Sequence, residues 1–136
     1  MKKILVAVDG SSPSLLAARL AQELATATGA TLTAAFCVAP LVMAGEIPFT
    51  MIGEVMDAEV ARGREVLKEV AKELGVVEPR LLEGSVAESL AEVAEHDGFD
   101  LVVVGSRGRN AVARMLLGSV ADRLVHICKK PVLVAR

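Results

Sequence analysis

Residues 101–105 read LVVVG, an uninterrupted aliphatic run closed by a glycine, with FD before it and SRG after it. No polar residue alternates with the aliphatic ones, so a strand formed here is buried on both faces. That is the signature of a parallel sheet covered by helices rather than of a sheet with one wet face. The run KILVAV at residues 3–8 has the same character and ends in Asp9-Gly10. Outward from these two, short β-branched runs alternate with segments of helical period: residues 13–28, TLTAAFCV at 31–38, 53–74, RLLE at 80–83, 86–96, 120–127 and PVLVA at 131–135. The pattern predicts an α/β fold of five strands and four helices, an open, doubly wound parallel sheet in a three-layer sandwich.

The helix boundaries are punctuated. Ser12 before Pro13 reads as an N-cap with proline at the first helical position, and Leu16, Leu20 and Leu24 share a face up to a stop at Gly29. Ser85 and Glu88 form a capping-box pattern ahead of Leu90, Val93 and Ala94, and Gly98 ends that helix. Ser119 and Asp122 repeat the pattern, with Lys129, Lys130 and Pro131 beyond the last helix.

At 136 residues the chain has the size of one domain, taken as residues 1–136. Its composition is 53% hydrophobic and 24% charged, with a mean hydropathy of +0.51. A net charge of -2 leaves no global basic field, which argues against nucleic acid or an anionic membrane as partner. The apolar run of MKKILVAVDG ends at Asp9, short of a signal-peptide core, and Thr26, Thr28, Gly29, Thr31, Thr33 and Pro40 interrupt the uncharged window from Leu24 to Gly45. The expectation is a cytoplasmic protein. Cys37 and Cys128 form no CxxC and read as buried free thiols, and the isolated His96 and His126 suggest no metal cluster.

Chemistry concentrates in GSRGRNAVARMLLGSVA, residues 105–121. In open parallel sheets ligands bind beyond the carboxyl ends of the strands, where the winding reverses, and both Asp9 and Gly105 sit at such ends. Gly105 can take backbone angles other residues resist, and Gly108 lets main-chain amides approach a ligand oxygen. Gly118 and Ser119 open a capped helix; if residues 110–117 fold back as a short helical excursion, the two glycine pairs meet around one anion. The Ser119 hydroxyl, nearby amides and Arg109 would supply the donors, with Arg107 and Arg114 as further candidates. The stretch is neither a Walker A loop nor GxGxxG, so by its residues alone it fits a phosphate cradle or a plain strand-to-helix connection. The connection from Ala39 to Ile52 reads as a lid or contact surface, or as a variable loop covering the sheet. Gly63 marks close helix packing.

The spacing Gly105-x2-Gly108-x9-Gly118-Ser119, with ILVAVDGS, FDLVVVGSRG and KKPVLVAR around it, resembles the ATP-binding branch of the universal stress protein family over the whole chain. The resemblance implies strand order 3-2-1-4-5, which sets Asp9 beside Gly105. It implies ATP or another adenine nucleotide, with magnesium, as cofactor. Ala7 and Asp9 would line the adenosine side and Val38 would present backbone to the adenine edge. Gly105, Gly108, Arg109, Gly118, Ser119 and Val120 would surround ribose and phosphates. It further implies a homodimer through the last strand, PVLVA, and a stress-response regulator acting on an unidentified protein partner. A slow ATP hydrolase and a dimeric interaction module without nucleotide stand as alternatives. Asp9 has a second reading as a turn residue bonded to Ser11 or Ser12, and the last strand as an edge tucked against its own helices. Receiver domains need an acidic pair and a phosphoacceptor aspartate that are missing, HxGH is absent, and flavin carriers would need aromatics where there is no Trp or Tyr. A dedicated catalyst lacks a base near the phosphates, Glu46 on the long connection being the one acid within imaginable reach.

Overall fold

The computed structural model describes residues 1–39, 48–75, 77–108 and 117–136. β1 (Lys3–Ala7) passes through Asp9 into α1 (Ser12–Thr28), followed by β2 (Thr31–Val38). A turn of 3-10 helix (Phe49–Met51) runs into α2 (Ile52–Leu74); then come β3 (Glu78–Glu83), α3 (Val86–His96), β4 (Leu101–Gly105), α4 (Ser119–Ile127) and β5 (Val132–Ala135). The strands make one parallel sheet in the order β3-β2-β1-β4-β5. β1 and β4 are therefore neighbours, with Val6 opposite Val103, and their carboxyl ends open where the winding reverses. Among the described residues no helix is long and apolar enough to cross a membrane.

The uninterrupted aliphatic runs are explained by two half-cores. Ile4, Val6, Phe36, Val38 and Val103 pack against α1 and α2, while Leu5, Ala35, Val102 and Val104 pack with Leu90 of α3 and Leu124 of α4. Alternate residues of one strand thus enter opposite cores, and from Ile4 to Ala7 and Leu101 to Gly105 every position is apolar. Phe36 and Phe99 are each 1% exposed, and burying such a side chain contributes about 1.5–3 kcal/mol.

The helix starts differ in detail from the expectation. The N-cap of α1 is Ser11, not Ser12: its hydroxyl accepts from the Ser14 amide, and Pro13 falls one position later in the first turn. The face of α1 that meets the sheet is Ala17, Ala18 and Ala21, all fully buried, while Leu16 is 44% exposed and Leu20 and Leu24 flank the core. The reason is proximity. The carbonyl oxygen of Pro13 lies 2.8 Å from where a Cβ on Gly105 would stand, too close to the sheet for leucines to intervene. α3 begins after Ser85 as expected, yet no side-chain cap forms there; Glu88 reaches across to Arg123 of α4 at 2.9 Å instead. Gly118, not Ser119, is the N-cap of α4, with no side-chain cap.

Candidate functional site

The chain leaves β1 at Asp9 and must turn at once into α1. Asp9 Oδ1 accepts from the amide of Ser11, 2.9 Å away, and from its hydroxyl, while the Asp9 amide donates to the buried Ser14 hydroxyl. This is the Asx arrangement that favours aspartate at a strand-to-helix turn. Oδ2 looks the other way, 3.0 Å from where a Cβ on Gly108 would stand. One carboxylate thus serves the turn with one oxygen and faces the glycine loop with the other.

Beyond β4 the loop is pinned at both ends. Ser106 donates its amide to the Ala135 carbonyl of β5 at 2.7 Å and accepts from the Gly118 amide at 2.5 Å. A Cβ on Gly118 would meet Arg107 Cα and the Ser106 carbonyl oxygen at 3.1 Å, with the Gly108 amide nitrogen 3.6 Å away. The start of α4 therefore folds back onto residues 106–108, as the spacing predicts. For Gly105 the reason differs from the expected special backbone angle, since neither it nor Gly108 nor Gly118 has a positive φ. They are small because Pro13, Asp9 and the 106–108 backbone occupy the space a side chain would need.

Between these elements lies a cleft of about 190 Å³ on the α3/α4 side of the sheet. Its floor and walls are small and apolar, from Ala7, Ala35, Cys37, Val86, Val104 and Ala121. Its other end is polar, from Asp9, Ser14, Arg107, Gly108, Gly118 and Ser119. There the amides of Ser119, Val120 and Ala121 belong to the first turn of α4, the turn whose amides have no acceptor within their own helix. The arrangement combines a small apolar slot with a helix start, where the first-turn amides carry partial positive charge.

Of the residues singled out in the sequence, Ala7, Asp9, Gly105, Gly108, Gly118, Ser119 and Val120 line this cleft. Val38 does not: it is 1% exposed in the opposite half-core, and its carbonyl accepts from the Gly84 amide at 3.1 Å. Arg109, Arg114, Glu46 and most of the 39–52 connection lie outside the described residues. On β2 the cleft is lined by Ala35 and Cys37. Strand parity was the signal for them, because Ala7 pairs in register with Ala35, and residues 35 and 37 share its face. Burial pushes the Cys37 thiol up from 9.0 to about 11. Both histidines are exposed at the far ends of α3 and α4, where His126 Nδ1 lies 2.6 Å from the Asp122 carbonyl.

The model of the universal stress protein family matches residues 1–136. Universal stress protein MJ0531 of Methanocaldococcus jannaschii is 36% identical, over 99% of this chain and 82% of the relative. Among solved structures, the universal stress protein UspA from Lactobacillus plantarum superposes with a TM-score of 0.83 at 26% identity, covering 99% of this chain and 97% of the other. A universal stress protein solved in complex with cAMP superposes with a TM-score of 0.75 at 29% identity, covering 99% and 97%. With the sheet order, the fold-back of α4 and a family match over every residue in agreement, this chain belongs to the universal stress protein family.

Proposed function

We propose that this protein binds an adenine nucleotide, ATP or a close relative, in the cleft at the carboxyl ends of β1 and β4. In this reading it works in the cytoplasm as a nucleotide-responsive stress regulator, a homodimer that presents its bound state to a protein partner. The observation that carries the reading is the return of Gly118-Ser119 onto Ser106–Gly108 beside Asp9, which aims the start of α4 along an apolar slot. A helix terminus alone contributes about 0.3–1 kcal/mol toward an anion. Charge-assisted bonds from the first-turn amides, the Ser119 hydroxyl and Arg107, at about 1.5–3 kcal/mol each, raise this to a useful affinity. The base would lie against Ala7, Ala35, Cys37 and Val104, and Asp9 Oδ2 would accept from the sugar or base. The cAMP complex of a related universal stress protein supports a nucleotide of this class. Asp9 is the one carboxylate lining the cleft among the described residues, so magnesium would arrive with the phosphates and water rather than on a preformed acidic cage. The same scarcity of acids and bases favours a binding protein over a dedicated catalyst.

The test is to denature protein purified without added nucleotide, identify what is released by mass spectrometry, and titrate the emptied protein calorimetrically with ATP and AMP. Adenine nucleotide in the released fraction and saturable binding are expected, with about tenfold weaker affinity for Ser119→Ala. Absence of binding at millimolar nucleotide rejects the reading.

A further inference from the structure

Arg62, on α2, lies outside the cleft and yet grips the residue at its rim. Its Nη2 donates to the Asp9 carbonyl at 2.8 Å, and the guanidinium carbon sits 5.7 Å from the centroid of the Phe36 ring. Its Nη1 is buried and has no hydrogen-bond partner among the described residues. The next residue, Gly10, turns the chain at φ +86°, and a Cβ there would stand 3.1 Å from Arg62 Nη2 and 3.2 Å from Val66 Cγ2. The Asp9-Gly10 turn is thus pressed directly onto the guanidinium, with glycine required by both the angle and the space.

A cation taken partly out of water is costly unless its donors are used. Here one terminal nitrogen is satisfied by the Asp9 carbonyl and the other, buried, has no partner among the described residues, so displacement of the turn would remove a principal partner of a half-buried charge. Asp9 is held from both sides: its carbonyl from the α2 face by Arg62, and its carboxylate on the cleft side beside Gly108. We propose that Arg62 is a positioning residue for the nucleotide site, fixing the Asp9 carboxylate from behind the sheet and tying α2 to occupancy of the cleft. The inference rests on the nucleotide reading for its functional consequence, and on the Asp9 turn alone for its structural one.

Two measurements separate these. In calorimetry with ATP, Arg62→Met is expected to bind about tenfold more weakly, and Arg62→Lys, which keeps a cationic donor, to recover part of the loss. In an Asp9→Asn background the same Arg62→Met change is expected to cost less than about twofold, because its route to the ligand is already damaged. Equal losses in both backgrounds, or unchanged affinity with only a lower melting temperature, overturn the proposal. In nucleotide-free protein, hydrogen exchange at the Ser11 amide, which donates to Asp9 Oδ1, is expected to speed up about tenfold in Arg62→Met and to be restored by Arg62→Lys. Unchanged protection at Ser11 overturns the positioning role whether or not ATP binds. Failure of the wild type to bind ATP rejects the nucleotide reading instead. Arg62→Gln, which keeps a donor without the charge, replaces the methionine variant if that one does not fold.

Discussion

Cys37 shows what one side chain contributes. Its sulfur sits in the apolar slot, 4.0 Å from the Val86 carbonyl, and burial lifts its pKa from 9.0 to about 11. The native state therefore keeps this proton where the unfolded chain has lost it. That contribution is intact below about pH 9 and is lost as pH rises to about 11, an alkaline decline of about 2 kcal/mol that Cys37→Ala should remove from the denaturation midpoint. Because the thiolate is the reactive form, alkylation of Cys37 by iodoacetamide at pH 8 should run about a hundredfold slower than at an unburied thiol and climb about tenfold per pH unit. Peptide mass spectrometry reads this directly, and labelling at the rate of a free thiol would show that the slot is not closed around the sulfur. The partial burial of Cys37 was legible in its apolar neighbours, although neither it nor Cys128 is fully buried as their surroundings suggested. That Cys37 faces the cleft was signalled only by strand parity, which places it on the face of Ala7 once β2 is in register with β1.

Between helices and strands the decisive quantity is how near two of them approach. Gly63 lets α2 lie on β2 so closely that a Cβ there would stand 2.5 Å from the Phe36 ring. Alanine is the better helix former by about 1 kcal/mol, yet overpacking costs about 1–3 kcal/mol, and Phe36 already carries Arg62 on its face. Gly63→Ala should therefore lower stability by about 1 kcal/mol, measured as a drop in the urea midpoint; an increase would mean that α2 has slack. At the other end of the sheet, Asp100 Oδ2 accepts from the amides of Lys2 and Lys3 at 2.7 and 2.9 Å, and those bonds hold its carboxyl below the usual range. The stabilisation is present at neutral pH and fades as pH falls through that depressed value. Asp100→Ala should accordingly melt lower than wild type at pH 7, and the gap should close in strong acid, as thermal melts at both pH values would show. Glu88 illustrates the same competition between local and distant partners. Its sequence position suggests a capping box, but α4 brings Arg123 within reach, and that bond lowers its pKa instead.

On the scale of the whole molecule, β5 pairs with β4 on one side and ends the sheet on the other, with Val132, Leu133 and Val134 half-buried. An apolar edge without charged or proline guards inside the strand invites a second copy, and light scattering at micromolar concentration should return twice the chain mass; a monomer mass removes the dimer from the proposed function. The chain order of five strands and four helices and the burial of the sheet on both faces were set by periodicity and by apolar runs such as LVVV, which act over a few residues and need no partner to be read. The glycine spacing likewise announced that the start of α4 returns to the end of β4. The packing of the sheet settled the rest: what crowds the glycines, the presence of Ala35 and Cys37 in the cleft wall, and the grip of Arg62 on Asp9. Each is a close approach between segments far apart in the chain. Such contacts exist only after the sheet has brought the segments together, so no local pattern of residue types encodes them.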